Sequence, residues 1–257
     1  MEVAAPARLA AGCIRRAPPQ ARWAGPIGGS GRSRCPARSY LRSRETVKTV
    51  VCYGPWVTEV ETDRLVLRPW QSEDLAEFTR LLTDPVVTRY IVVHTPFSPQ
   101  DVAELSDRTL EQWDRNGFGP WAAIEKATGR WVGRIGLDEL ADWPGPHKVE
   151  VGWELHRAFW GRGLATEGGR AGVRYGFETV GLERIISATM ATNTASRRVM
   201  DKCGLRFQGE LAMAGTTVAW YAIDRADWKA GQATAAAPPT GANLLGAGGP
   251  RSTTAFP

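Results

Sequence analysis

The chain has 257 residues and a formal net charge of +5 at pH 7. Residues 1–58 hold nine Arg and one Lys against two Glu, a net charge of +8, which leaves −3 for the remainder. The basic character therefore belongs to the N-terminal segment, and we expect no nucleic-acid partner, because that function needs a basic face on the folded part.

Cysteine usage and hydropathy exclude further classes. Three of the four cysteines lie within the first 52 residues and no pair has the C-x-x-C spacing, so neither a disulfide scaffold nor a zinc site is expected. This usage fits a reducing, cytoplasmic location without a metal cofactor. No apolar run approaches the roughly 20 residues that span a bilayer, so we expect no membrane partner.

Residues 1–56 are rich in Arg, Ala, Pro, Gly and Ser and show little periodicity, which predicts a disordered basic tail. Two alternatives stay open. The composition also suits an organelle transit peptide, and the start of translation could instead lie near Val47 or Val57.

The first half of the folded part predicts a strand, two helices and a hairpin. Apolar alternation marks a strand that Pro69 ends, and Ser72 and Ser98 are placed as helix caps. Asp84-Pro85 is predicted to break the chain after the first helix, and Gly117 ends the second. The predicted elements are a strand at 65–68, helices at 75–83 and 99–116, and strands at 118–125 and 131–140.

The chain is organised around residues 149–205, which read as strand, glycine turn, helix, strand, polar residue and helix. Gly161 and Gly163 lack Cβ atoms, so the backbone can direct N–H groups inward around an anion, and the following helix adds partial positive charge. An ordinary strand-to-helix turn could have the same pattern. The turn lacks the G-K-[ST] of a P-loop, and Thr166 occupies the third glycine position of the dinucleotide fingerprint.

Two further strand patterns follow at 206–211 and 216–224, with a last turn at 226–229. From Gly231 onward the chain is Ala, Gly, Pro and Thr with a single charge, which predicts a second disordered tail at 231–257.

At this point residues 59–228 resemble the GNAT superfamily of acyl-CoA N-acyltransferases, in its RimJ/RimL-like branch. The similarity rests on five motifs that occur in the family's order. They are Thr62-Asp63-Arg64-Leu65-Val66-Leu67-Arg68, Glu150-Val151-Gly152-Trp153, Trp160-Gly161-Arg162-Gly163-Leu164-Ala165, Asn193-Thr194-Ala195-Ser196 and Lys202-Cys203-Gly204-Leu205.

The resemblance implies an α/β (α+β) fold in which a mixed, mostly antiparallel sheet is splayed in the middle and flanked by helices. It also implies acetyl-CoA as co-substrate, with its pantetheine added like a strand to the main chain of Glu154, Leu155 and His156. Asn193 would bind the pantetheine or cap the local backbone, and both roles can hold together. The pyrophosphate would sit on the backbone amides of Arg162, Gly163, Leu164 and Ala165.

The resemblance also assigns catalytic roles. Glu150 would accept the proton of the amine through a water, with Asp138 and Glu139 as rivals. Ser196 would give a proton to the departing thiolate, because Met200 occupies the position of the family's usual Tyr. The Leu155 amide would be the oxyanion donor. A salt-bridged strand residue at 150 and a backbone-bonded helix serine at 196 are the alternatives.

The implied activity is transfer of an acetyl group to a primary amine, on a protein N-terminus or a small molecule, by direct attack in a ternary complex. Cys203 lies at a helix end, so no covalent route is expected. A non-catalytic acyl-CoA-binding module and a NAD-binding oxidoreductase, which would need a parallel sheet, remain as alternatives. The chain could be a monomer or a homodimer.

Overall fold

The computed structural model describes residues 50–53, 56–91 and 97–236, with side chains at 59–91 and 97–233. Nine strands and six α-helices are present in these ranges. The strands are β1 (Val50–Tyr53), β2 (Trp56–Glu61), β3 (Leu65–Arg68), β4 (Pro120–Glu125), β5 (Trp131–Glu139), β6 (Val149–Leu155), β7 (Arg184–Met190), β8 (Arg206–Met213) and β9 (Thr216–Asp224). The helices are α1 (Leu75–Leu82), α2 (Pro85–Thr88), α3 (Pro99–Asn116), α4 (Leu164–Tyr175), α5 (Thr194–Lys202) and α6 (Arg225–Ala236).

The strands form one mixed sheet in the order β1-β2-β3-β4-β5-β6-β7-β9-β8. Every neighbouring pair is antiparallel except β6 and β7, which run parallel because α4 carries the chain across between them. This parallel pair is joined at one position, Glu150 opposite Ile186. The predicted α/β fold with a mostly antiparallel, centrally splayed sheet is confirmed.

Helix α4 packs closely on the centre of the sheet. A Cβ added to Gly168 would lie 2.7 Å from Ile135 Cδ1, and one added to Gly169 would lie 2.8 Å from Cys203 Sγ. Only glycine permits this approach without repacking. The close contact fixes the N-terminus of α4 beside the C-terminal end of β6, where the gap between the half-sheets opens.

The apolar residues form three clusters. The largest packs α4, α5 and the sheet around residues such as Trp121, Ile135 and Ile185. A second, with Trp70, Phe78 and Trp131, lies beneath α1 on the opposite side. The third lies on the β7-β9-β8 half of the sheet, around the buried Trp143.

Four sequence-based predictions about elements are corrected. Residues 50–53 form a strand paired with β2, so the disordered tail predicted through residue 56 was wrong at its end, and residues 1–49 lie outside the described part. Ser72 does not cap α1; it lies in a 3-10 turn whose Asp74 carboxylate accepts the Gln71 N–H at 2.8 Å.

The other two corrections concern helices. The break predicted at 84–85 starts the short helix α2, because Asp84 Oδ1 accepts the Val86 N–H and Pro85 suits a first helical position. Helix α6 continues through Ala236, beyond the turn predicted at 226–229 and into the predicted second tail. Residues 237–257 lie outside the described part.

Candidate active site

The gap between β6 and β7 is the central feature of the site. The Ser187 hydroxyl donates to the Val151 carbonyl at 2.8 Å, close to the Glu150–Ile186 pair. Beyond that point the two strands share no further paired position. The C-terminal half of β6 therefore has an edge that an extended ligand could complete.

The register of β5 and β6 decides which main-chain groups face this gap. The His156 N–H donates to the Val132 carbonyl, and its own carbonyl accepts from the Phe159 N–H. Because antiparallel partners alternate, Glu154 opposite Arg134 likewise directs its N–H and C=O toward β5. The main-chain groups of Trp153 and Leu155 point the other way, toward β7.

Of the three residues predicted to bind pantetheine through their main chain, Leu155 alone has an N–H that faces the gap. The N–H and C=O of Glu154 and the N–H of His156 are directed to strand β5, and the His156 carbonyl accepts the Phe159 N–H. Leu155 keeps an N–H on the gap side, and so does Trp153, a residue that the sequence reasoning missed. The Leu155 carbonyl already accepts the Trp160 indole N–H at 2.7 Å.

The glycine turn has the geometry that an anion site needs. Gly161 and Gly163 have φ of 72° and 78°, the left-handed region that glycine tolerates. A Cβ at Gly161 would meet nothing within 4 Å, and one at Gly163 only the Arg64 Nη2 at 3.5 Å. Gly163 is the N-cap of α4 and no side chain caps the helix, so the amides of Leu164 and Ala165 have no intrahelical partner.

Arg64 stabilises this turn. It belongs to the motif at 62–68, but it was assigned no role from the sequence. Its Nη1 donates to the Arg162 carbonyl at 2.8 Å and its Nε to Glu167 at 2.6 Å. Glu167 is held further by the Thr62 hydroxyl at 2.5 Å. Because the Arg162 carbonyl is turned toward Arg64, an acceptor is removed from the anion site and the amides remain. The side chain of Arg162 forms an ion pair with the buried Glu125.

A cluster of one base and three acids lies beside the gap. Arg134, 8% exposed, contacts Asp138 and lies 3.5 Å from a Glu154 oxygen. Glu150 completes the cluster, and its carboxylate extends over Gly152, whose missing Cβ would lie 3.6 Å from Oε1. Together these residues line a shallow depression beside Pro120 and Gly136. Three carboxyl groups surround one guanidinium, so the cluster has an excess of negative charge when Glu150 is ionised.

The electrostatics of this cluster set the protonation of Glu150. Burial, followed by the negative charges of Asp138 and Glu154, raises the pKa of Glu150 to about 8, against the opposing effects of Arg134 and the Ala188 N–H. Burial also raises the pKa of Glu154. Although burial disfavours the charge of Arg134, its carboxylate neighbours raise its pKa. A carboxyl group with a pKa near neutrality suits a proton acceptor.

The second base candidate, Asp138, is engaged by Arg134, and Glu139 faces outward, where it accepts from Arg115 at 2.8 Å. His156 lies at the end of β6, where burial lowers its pKa, with Glu77 3.5 Å away. His147 is exposed, and His94 lies outside the described residues. Glu150 is therefore the acid whose environment best fits proton transfer.

Asn193 acts as the N-cap of α5. Its Oδ1 accepts the Ser196 N–H at 3.2 Å and its Nδ2 donates to the Thr189 hydroxyl at 3.0 Å. Both the oxygen and the nitrogen of the Asn193 amide thus form local hydrogen bonds, as expected for the predicted capping role. Ser196 is partly exposed in the first turn, while Met200 is fully packed in the core.

Cys203 is buried, and burial raises the pKa of its thiol to about 12. Such a thiol is a poor nucleophile, because the thiolate is the reactive form.

In the part of the chain that the structure describes, no group of His, Cys, Asp and Glu side chains could hold a metal ion. None of the helices in the described ranges is long and apolar enough to cross a membrane.

The sequence model of the Acetyltransferase (GNAT) domain matches residues 64–206, more than half of the chain. The chain belongs to the GNAT acetyltransferase family. The matched segment begins at Arg64 behind the glycine turn and ends just after α5, so it contains every residue placed in the candidate site above except Thr62.

Two relatives of this GNAT protein carry acetyltransferase names. It is 35% identical over 158 residues to FsC-acetyl coenzyme A-N(2)-transacetylase of Aspergillus fumigatus, covering 57% of this chain and 64% of that protein. The match thus spans less than two thirds of the fungal relative. It is 30% identical over 155 residues to the Uncharacterized N-acetyltransferase p20 of Bacillus licheniformis, covering 58% and 83% of the two chains.

Solved GNAT structures share the fold. An acetyltransferase of the family from Bacillus anthracis superposes with a TM-score of 0.57 at 25% identity, over 66% of this chain and 99% of that one. Spermidine N-acetyltransferase from Vibrio cholerae, solved with CoA and spermine, gives a TM-score of 0.55 at 18% identity, over 65% and 99%. At that identity the second likeness concerns the fold alone.

Two functional features were missed in the sequence. Arg134 lies among the buried apolar residues of the first part of β5, and a charge at a buried strand position is a signal that could have been noted. The pairing of Arg64 with Glu167 joins residues 103 positions apart, and nothing in a single sequence indicates such a contact.

Proposed function

We propose that this protein transfers the acetyl group of acetyl-CoA to a primary amine by direct attack in a ternary complex. The observation that carries the proposal is one arrangement: an open strand edge at Trp153 and Leu155 that ends at an uncapped glycine turn. Glu150 lies beside that edge, with its pKa raised to about 8.

The residues present fit acetyl-CoA. The turn offers backbone amides from Arg162 to Ala165 for a pyrophosphate, with room above Gly161. The gap-side N–H of Leu155 would bind the thioester carbonyl oxygen. When bound, acetyl-CoA supplies the acetyl group as a thioester.

Glu150 is proposed to take the proton of the incoming ammonium, directly or through a water. The cluster around it attracts a cation because its acids outnumber its base three to one, and that attraction is strong where solvent is partly excluded. Ser196 is proposed to supply a proton to the departing sulfur. Asn193 is proposed to hold the backbone around that serine and to contact the pantetheine.

The test is a thiol-release assay with acetyl-CoA and a panel of amines and N-terminal peptides. We expect release to depend on an amine and to fall by at least about 100-fold in Glu150→Gln, the scale of a lost general base. Acetyl-CoA binding without turnover of any amine would instead identify a non-catalytic acyl-CoA-binding module.

The oxidoreductase alternative is not retained. It requires a parallel sheet, whereas one neighbouring pair of strands here is parallel and the rest are antiparallel. Membership of the RimJ/RimL-like branch remains a proposal based on the motifs at 150–153 and 160–165, and a cytoplasmic location remains a proposal based on cysteine usage.

A further inference from the structure

An apolar surface lies across the gap from the acidic cluster. It consists of the partly exposed side chains of Ala188, Leu211, Met213 and Trp220, backed by the buried Trp143. We call these five residues the apolar wall. None of them lies in a helix, in contrast to the two larger clusters, which helices cover.

The apolar wall and Glu150 face the same side of the sheet. Glu150 is paired with Ile186, and alternation along β7 places Ala188 on that side as well. Ala188 is opposite Trp220 on β9. The N–H of Ala188 also reaches the Glu150 carboxylate. The wall therefore begins where the acidic cluster ends.

The two surfaces differ in kind. The acidic cluster has three carboxyl groups around the one guanidinium of Arg134. The apolar wall has aromatic and aliphatic side chains, and the ring centroids of Trp143 and Trp220 lie 5.6 Å apart in an edge-to-face contact. A ligand with one ammonium and a nonpolar body would fit both surfaces, with the ammonium at the acidic cluster and the nonpolar body on the apolar wall. A second ammonium on the wall would lose water without gaining a partner.

We propose that the apolar wall is the acceptor subsite, and that the acceptor is a primary amine joined by a short linker to an aromatic or branched aliphatic group. This inference rests on the proposed acetyl transfer. A second copy of the chain could also cover such a surface, and the experiment below is arranged to expose that outcome.

The kinetic test compares phenethylamine, putrescine and methylamine at saturating acetyl-CoA. We expect kcat/KM for phenethylamine to exceed that for putrescine by at least about tenfold, the scale that one hydrophobic group contributes to specificity. Leu211→Ser should lower kcat/KM for phenethylamine about fivefold or more and leave methylamine unchanged, and Leu211→Met should restore it. Equal use of the two larger amines, or an equal loss with methylamine, would overturn the inference.

Phe207→Ser is the matched control. Phe207 lies on the same strand, is 49% exposed and packs against Tyr221 on the opposite face. The change should leave the preference between amines unaltered, and thermal melting of each variant shows that it is folded.

Binding measurements separate this inference from the proposed function. Phenethylamine binding is measured by saturation-transfer NMR in the presence of CoA. If no amine is acetylated but Leu211→Ser still weakens phenethylamine binding, the subsite stands and the transferase proposal fails. If amines are acetylated and the variant binds phenethylamine as the parent does, the subsite is overturned. A dimer that dissociates in Leu211→Ser would overturn it too.

Discussion

At the scale of single residues, Glu150 combines a catalytic proposal with a measurable titration. As a proton acceptor it must be ionised, so kcat/KM should rise with pH and level off above about 8. The Glu150→Gln variant should lose most of the activity and should no longer show this rise of kcat/KM with pH, the ascending limb of the pH–rate profile. A pH–rate profile of both proteins tests this, and a limb that persists in the variant would assign it to another group.

The same carboxyl group predicts a stability effect that needs no activity. Its pKa is about 8 in the folded protein against an ordinary value of 4.5, so the folded state binds the proton more tightly. The free energy of unfolding should therefore fall as pH rises from about 4.5 to about 8. Glu150→Gln should melt with a weaker pH dependence over that window, and a slope equal to that of the parent would show that the pKa is not raised.

Arg134 is expected to tune this titration as a positioning residue. Its charge opposes the rise in the pKa of Glu150, so Arg134→Met should move the activity limb to higher pH. The matched control is Arg115→Met, which breaks an exposed ion pair with Glu139 outside the cluster. An unmoved limb in Arg134→Met, measured on a variant that retains its melting temperature, would contradict the tuning role.

At the scale of elements, the glycine turn should decide coenzyme binding. Gly163→Asp places a carboxylate at the uncapped N-terminus of α4, where it would occupy the amides and repel phosphate. The Kd for acetyl-CoA, measured by calorimetry, should rise about 100-fold, which is about 2.7 kcal/mol and near the upper end of the 1.5–3 kcal/mol that a hydrogen bond to a charged group contributes. The matched control is Gly181→Asp. Gly181 follows the π-helical turn Gly176–Val180 that continues α4 and has φ of 83°, so the change imposes similar strain and should leave the Kd unchanged.

Asn193 allows the capping and binding roles to be separated. Asn193→Ala should cost about 1 kcal/mol of stability through loss of the cap, and the acetyl-CoA Kd should rise. Asn193→Asp retains a capping oxygen for the Ser196 N–H and loses the donor to Thr189. Stability restored in Asn193→Asp without restored affinity would place the amide nitrogen in coenzyme binding. Unchanged affinity in both variants would leave Asn193 a cap alone.

The sequence predicted the strand and the turn that form the site, but not which main-chain groups face the gap. The β6 strand and the glycine turn follow from local patterns, since alternation and glycine placement are properties of short segments, whereas the role of Glu150 was implied by the family resemblance. Which N–H groups face the gap depends on the partner strand β5, and this is why Glu154 and His156 were grouped with Leu155. The short helix α2 was missed because Asp84-Pro85 was read as a break, and strand β1 was missed because the composition of residues 1–56 predicted disorder.

At the scale of the whole molecule, direct attack predicts kinetics without an acyl-enzyme. Initial-rate plots for acetyl-CoA and amine should intersect, and no thiol burst should occur without acceptor. Cys203→Ala should retain activity, because the thiol is buried and hydrogen-bonds weakly to the Thr166 carbonyl at 3.7 Å. Parallel initial-rate lines, or a burst that disappears in this variant, would contradict direct attack.

The single paired position between β6 and β7 makes the coenzyme a candidate structural partner as well as a reagent. Amide deuterium uptake at Trp153 and Leu155 should be fast in the free protein and slow once CoA spans the seam between the half-sheets. At a coenzyme concentration of 100 times Kd, binding adds about 2.7 kcal/mol to stability. The lifetime of this protein in a cell would then follow the acyl-CoA supply, with depletion favouring proteolysis.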